Sequence, residues 1–266
     1  MSQIFFYATL GLYSCATLGY LIFLIRSSNA LGIWANRLVI TGFIAHLLST
    51  IHRFSSSGHL PITNMQESLS FFSLAIIGSF ILFERKYKVI TLGSFVTPPA
   101  LLMLIASSAL PTEIKQLPPI LQSNWFWFHA LLAFASYATF TIACGTAVMY
   151  LIQQHFLKKK RFGSLFQKLP SLETLDDISY RCLTIGFPLL TVAIISGSIW
   201  SEQAVGNYWN WDPKQTWSLI TWFIYAALLH GRLTIGWRGR RAALLSILGF
   251  IVLLITFIGM KHSIKW

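Results

Sequence analysis

The residues with the clearest chemical potential are an aromatic cluster on a turn. The stretch Val205–His230, VGNYWNWDPKQTWSLITWFIYAALLH, places Tyr208, Trp209, Trp211 and Trp217 around that turn and then continues into an apolar segment. Such rings collect at the lipid–water boundary, where their polar edges stay hydrogen-bonded. Several flat rings on one turn also suit a large planar ligand, because ring stacking adds roughly 0.5–1.5 kcal/mol per pair. The aromatic residues alone leave both interpretations open.

Histidine is the most abundant candidate for a site residue, since the chain has 7 histidines and only 8 acidic residues. An ionisable residue at membrane depth is a functional hypothesis by default. His129 directly follows an aromatic run, Trp125–Phe128, and His262 follows the last apolar segment. Neutral imidazole ligates iron well, and axial histidine is a standard way of holding haem. We interpret His129 and His262 as candidate haem ligands; the alternative is that each hydrogen-bonds a backbone carbonyl at the membrane boundary.

His230 and Asp212 have different expected roles. His230 lies thirteen residues beyond Trp217, or roughly 20 Å along a helix, so it cannot share one small site with the other two histidines. It is a second candidate ligand position. Asp212 has no partner carboxylate nearby in the sequence, so no general acid–base pair is visible. With Pro213 after it, Asp212 is expected to begin a turn or to cap the next helix.

Apolar segments must position these residues. The 266 residues are 55% hydrophobic and 11% charged, which predicts an all-α, polytopic membrane bundle of about eight transmembrane helices. We expect a single domain over residues 1–266, with an external tryptophan-rich loop at about 200–217. The eight segments are approximately Ile4–Ile25, Ile33–Ile51, Leu69–Phe83, Val89–Leu110, Trp125–Ile152, Cys182–Ile199, Trp217–His230 and Ala243–Gly259.

The distribution of charge predicts the orientation of these helices. Fifteen of the 20 Lys and Arg residues fall in loops on one face, which the positive-inside rule assigns to the cytoplasm or its organellar equivalent. Both termini, His129, His262 and the tryptophan loop are then outside. The net charge of +12 is thereby explained without nucleic acid, for which no RNA- or DNA-binding motif is present.

The segment YWNWDPKQTWSLITW at Tyr208–Trp222 resembles the WWD motif of the haem-handling proteins of cytochrome c maturation. The chain is most similar to the CcsA (ResC) family of the System II pathway. Three other stretches agree: GHLPITNMQESL at Gly58–Leu69, LPPILQSNWFWFHALLAFASYATF at Leu117–Phe140, and KHSIKW at the C-terminus. Gln215 departs from the family pattern, which usually has glutamate at this position.

The resemblance implies a role for each candidate residue. His129 and His262 match the two external axial ligands of haem b, and His230 matches a histidine that ligates haem within the membrane, opposite a ligand from a CcsB (ResB) partner. The implied haem-contacting residues of the motif are Tyr208, Trp209, Trp211, Asp212 and Trp217.

The function that the resemblance implies is cytochrome c biogenesis. Such a protein brings haem across the membrane and presents it, reduced, to apocytochrome c, whose CxxCH cysteines form thioethers with the haem vinyl groups. The chain would then be an integral protein of a bacterial inner membrane or a plastid thylakoid membrane, acting within a haem lyase complex. Two alternatives are a haem exporter or sensor without ligation activity, and a b-type electron-transfer subunit.

Overall fold

A computed structural model describes residues 1–26, 28–113 and 117–260, and within these ranges the chain is helical without any β-strand. The α-helices are α1 (Ser2–Ile25), α2 (Asn29–Ser57), α3 (Met65–Tyr87), α4 (Gly93–Ser108), α5 (Asn124–Lys158), α6 (Ser164–Lys168), α7 (Leu172–Val205), α8 (Pro213–His230) and α9 (Arg240–Leu254). Short 3₁₀ turns cover Ile90–Leu92 and Pro119–Gln122, and π-helical turns cover Gly231–Ile235 and Ile255–Gly259.

The prediction of about eight membrane-spanning helices is confirmed, because eight helices in the described ranges are long and apolar enough to cross a bilayer. Several of them are longer than the apolar pattern indicated, and the longest are α5 and α7. α5 has 35 residues and α7 has 34, since a helix continues beyond its apolar part until a cap or a turn ends it. The tryptophan loop is correspondingly shorter than 200–217: only residues 206–212 lie between α7 and α8.

The helices group into two compact units. Unit 1 comprises residues 1–116 and 152–172, and unit 2 comprises residues 117–151 and 173–266. The expected single domain stays a prediction, because compact parts of one chain can still fold as one cooperative body.

Unit 1 contains α1–α4, in which α1 packs against α2 and α4, and α3 packs against the same two helices. A buried ion pair joins α2 to α3: Arg53 Nε lies 2.8 Å from Glu67 Oε1. The second oxygen of Glu67 accepts hydrogen bonds from the backbone N–H and the hydroxyl of Thr63. Asn64 caps α3 by accepting from the Glu67 N–H. Glu67 therefore organises the start of α3.

The short helix α6 is attached to unit 1 through Lys168. Its Nζ donates hydrogen bonds to the backbone carbonyls of Phe23 and Leu24, at 2.8 and 3.0 Å, near the end of α1. The last carbonyls of a helix have no partner within the helix, and a cation there also complements the helix dipole. Thr91 donates in turn to the Lys168 carbonyl.

Unit 2 contains α5 up to residue 151, together with α7, α8 and α9, packed through small residues and aromatic rings. A Cβ at Gly186 of α7 would lie 2.5 Å from the Thr139 hydroxyl, so glycine permits the close approach of α7 to α5. Phe140 of α5 and Tyr225 of α8 stack with centroids 3.6 Å apart. Trp222 Nε1 donates to Thr191 Oγ1 between α8 and α7. These contacts fix the helices that carry the candidate site.

The end of unit 2 beyond His230 is held by a two-pronged ion pair. Arg232 donates from both terminal nitrogens to the Asp176 carboxylate, at 3.0 and 2.7 Å, and only 4% of its side chain is exposed. We expect Arg232→Met to lower the free energy of unfolding by about 3 kcal/mol, because it removes the charged partner of the Asp176 carboxylate, whose side chain is only 19% exposed. The measurement is an SDS unfolding titration of the purified protein.

The matched control for Arg232 is Arg181→Met. The Arg181–Asp177 pair joins residues four apart on α7, and about half of each side chain is exposed. Such pairs contribute about 0.3–0.5 kcal/mol. Equal shifts of the unfolding midpoint for the two variants would show that the Arg232 pair does not hold this end of the unit.

Candidate functional site

The tryptophan loop is a folded structure closed by hydrogen bonds. Gly206 ends α7 with φ 74°, a left-handed conformation that glycine adopts without a steric penalty, and its N–H donates to the Glu202 carbonyl. The Ser201 hydroxyl donates to the carbonyl of Asn207, and the Asn210 N–H donates to Gln215 Oε1. Gln215, which departs from the family's glutamate, thus supplies the acceptor oxygen that either side chain could provide.

Asp212 caps α8, as predicted from the Asp-Pro sequence. Its carboxylate accepts a 2.7 Å hydrogen bond from the Gln215 N–H, and Pro213 occupies the first turn. Only 8% of Asp212 is exposed. The residue therefore fixes the direction in which the loop enters the helix.

The two central indoles of the loop have different environments. Trp209 and Trp211 meet edge to face, with centroids 5.8 Å apart and planes at 84°. Trp209 is half-buried, and its Nε1 is a buried donor without a hydrogen-bond partner in the described part of the chain. Trp211 is 70% exposed and has φ 54°, a strained value for a bulky residue. Strain of this kind concentrates at functional sites.

His129 lies in the first turns of α5 and contacts α7. Its Nδ1 is 2.6 Å from the Ala193 carbonyl oxygen. A carbonyl can only accept, so Nδ1 carries the proton and Nε2 is the nitrogen whose lone pair can bind a metal. Gly197, one turn beyond Ala193, makes room for the ring, because a Cβ there would lie 2.6 Å from Nδ1.

His129 and Trp209 line one cleft, which we call the histidine cleft. Its volume is about 630 Å³ including the space at its open mouth. Its walls combine apolar surface with several polar side chains, among them Lys214, Gln215 and Ser218. A planar ligand with acidic groups fits this set: an imidazole for a metal, an unpaired indole N–H, and a lysine for a carboxylate.

The remaining sequence-predicted residues do not all lie in the cleft. Tyr208 is 62% exposed on the loop. The ring of Trp217 is not among the lining residues, while its carbonyl accepts hydrogen bonds from Thr221 and Thr256. His230 ends α8 and is exposed. The His262 prediction lies outside the described residues.

The contact between His129 and α7 was not predicted from the sequence. Ala193 and Gly197 form a small-residue pair four apart, a spacing that lets helices approach closely. That spacing could have indicated a close contact on α7, although not that His129 fills it. Trp200 was also missed: its Nε1 donates a 2.9 Å hydrogen bond to the Ile120 carbonyl and ties α7 to the segment before α5.

Comparisons with known proteins agree with this description. The chain is 38% identical over 239 residues to the cytochrome c biogenesis protein CcsA of Guillardia theta, covering 80% of this chain and 79% of that protein. It is 37% identical over 257 residues to the protein of the same name from Synechococcus sp. strain CC9902, covering 84% of each. CcsA of Chlorella vulgaris is 38% identical over 247 residues.

Among solved structures, the chain is similar to the cytochrome c haem lyase CcmF with a TM-score of 0.73. The similarity covers 99% of this chain and 47% of that one, at 16% identity. At this identity the likeness concerns the fold, and the chain spans about half the length of that protein. A model of the cytochrome C assembly protein family matches residues 62–265, which include both histidine-cleft walls and the tryptophan loop. The chain is an integral membrane protein that belongs to the cytochrome C assembly protein family.

Proposed function

We propose that the histidine cleft binds haem and presents it for attachment to apocytochrome c. The observation that supports this most directly is that His129 lines one cleft with Trp209 while its Nδ1 donates to the Ala193 carbonyl at 2.6 Å. A histidine that only bonds a carbonyl would also show this bond, so the support comes from the bond and the cleft together. Metal-binding histidines commonly donate their second ring nitrogen to a carbonyl or a carboxylate, which fixes the tautomer and raises the basicity of the ligand. His129 has this arrangement beside an aromatic loop.

Haem needs few ligands from the protein. The porphyrin supplies four nitrogens, so the chain provides the axial positions and the surroundings. In the described part of the chain no three His, Cys, Asp or Glu side chains are grouped to hold a bare metal ion. His129 would bind one face of the iron through Nε2, and we assign the other axial position to His262, as the resemblance implies. Lys214 and the Trp209 N–H are then placed for the haem carboxylates.

The exposed ring of Trp211 is the proposed platform for the haem plane. We expect Trp211→Asn to lower the haem content of the purified protein several-fold while leaving the loop folded, because asparagine tolerates the left-handed conformation at this position. Stacking of about 0.5–1.5 kcal/mol per ring pair sets the scale of the loss. Haem content is measured by pyridine haemochrome absorption. An unchanged haem content would show that this ring does not contact haem.

The chemistry that follows needs no acid–base pair in this chain. In thioether formation, a cysteine S–H adds across a haem vinyl group: the sulfur bonds to the carbon next to the ring and the hydrogen goes to the terminal carbon. No atom is lost in this addition. The protein therefore has to hold the haem vinyl groups next to the cysteines of the peptide. The chain would act in this way as part of a haem lyase complex.

We assign the cleft to the periplasmic or lumenal face, because the excess of Lys and Arg lies in the loops at the opposite helix ends. The membrane is then a bacterial inner membrane or a thylakoid membrane. His230 is thirteen residues from Trp217 on the continuous helix α8, or about 20 Å away. Because this histidine is exposed, a CcsB-type partner can supply the opposite ligand to a second haem on its route across the membrane.

A further inference from the structure

A second concave surface lies next to the histidine cleft in unit 2. We call it the side groove; it is open, with a volume of about 850 Å³ including the space at its open side. It lies between the segment that leads into α5 and the end of α7. Its lining includes Gln122, Ser123, Asn124, Trp125, Trp200 and Gln203.

The side groove has a defined shape, because hydrogen bonds join its two walls. Trp200 Nε1 donates to the Ile120 carbonyl at 2.9 Å. The Ser123 hydroxyl donates to Gln203 Oε1 at 2.8 Å. These bonds cross from the segment before α5 to α7, over 80 positions in the sequence. The groove is therefore a formed surface and not a gap beside a loose loop.

The lining of the side groove combines uncharged polar side chains with apolar residues. Asn124 and Gln203 are exposed amides, and Trp125 is 37% exposed. Because Gln203 Oε1 accepts from Ser123, its NH₂ group is the part that can serve a ligand. Side-chain amides match the N–H and C=O groups of a peptide backbone, while no Lys or Arg is present among the lining residues to bind phosphate.

The side groove and the histidine cleft share one wall, since Trp200 lines both. A chain segment in the groove would lie beside the proposed haem position. We propose that the side groove binds the extended segment of apocytochrome c that carries the CxxCH sequence, through backbone hydrogen bonds to Asn124 and Gln203 and contact with Trp125. This inference rests on the proposed function of the cleft.

The test is the fluorescence anisotropy of a labelled synthetic peptide with the sequence Ser-x-x-Ser-His, titrated with the purified full-length protein in nanodiscs. Serine replaces cysteine so that no covalent bond forms. We expect binding by the wild type and a loss of affinity of about tenfold or more in Asn124→Ala/Gln203→Ala, the effect of removing two hydrogen bonds. Gln203→Glu keeps the oxygen that bonds Ser123 but removes the donors, and should also weaken binding.

Two controls separate this proposal from the haem proposal. Gln3→Ala, an amide change in unit 1, should leave peptide affinity unchanged. His129→Ala should lose haem but keep peptide affinity, while the groove variants should keep the wild-type haem spectrum. The inference is overturned if the wild type does not bind the peptide, or if the groove variants bind it as tightly as the wild type. Groove-dependent peptide binding by a protein without haem would contradict the haem proposal and leave the peptide site standing.

Discussion

His129→Ala is expected to reduce the yield of c-type cytochromes to background in cells that depend on this protein. Loss of a residue that hydrogen-bonds a metal ligand lowers metal affinity or activity by up to about 100-fold. Loss of the axial ligand itself should therefore lower the yield further. The structural reason is that His129 is the imidazole that lines the cleft beside Trp209. The measurement is haem staining of membrane proteins after denaturing electrophoresis, which detects covalently attached haem.

The control for His129 is His155→Ala. His155 lies on the same helix, 26 residues beyond His129, or about 39 Å along it, and is exposed. Both variants should accumulate in the membrane at the wild-type level, because neither change alters an apolar span. Wild-type cytochrome yield in the His129 variant, at equal protein level, would rule out this histidine as an essential ligand.

Gly197→Ala is expected to have the second-largest effect, although the substitution adds only one methyl group. The new Cβ would lie 2.6 Å from His129 Nδ1 and 2.8 Å from its Cε1, closer than carbon contacts allow. The ring must rotate away and give up its hydrogen bond to Ala193. We expect cytochrome yield to fall by about 10–100-fold, the range for loss of a ligand's supporting partner.

The matched control for Gly197 is Gly11→Ala. Gly11 is also a helical glycine in a membrane span, but a Cβ there has no atom within 4 Å. Alanine is favoured over glycine in helices by about 1 kcal/mol, so this variant should be neutral or slightly stabilising. If the cytochrome yield of Gly197→Ala equals that of Gly11→Ala, the contact of His129 with α7 does not position the ligand.

Much of the fold could be predicted because it depends on local sequence. Each membrane span is a predominantly apolar stretch, and the described part of the chain contains all eight. The cap of α8 was predictable as well, because Asp212 and Pro213 are adjacent to the helix that they begin. The ends of α5 and α7 were not, since polar residues continue a helix without contributing to an apolar pattern. The grouping of helices into two units depends on contacts between distant segments.

The candidate site was predictable in its residue types and not in its geometry. His129 and the tryptophans stand out by composition, but the contact that orients His129 joins residues 64 positions apart. No local pattern links them. Similarly, the left-handed backbone at position 211 could not be predicted, because a bulky residue rarely adopts it.

The central claim is that haem binds in the histidine cleft. It is tested most directly by the reduced-minus-oxidised absorption spectrum of the protein purified with the proposed CcsB-type partner, wild type beside His129→Ala/His262→Ala. We predict a low-spin haem signal in the wild type that is lost or shifted in the double variant, with any remaining signal due to haem at His230. A wild type that carries no haem when purified under conditions that retain labile haem, or an identical spectrum in the double variant, would contradict the claim.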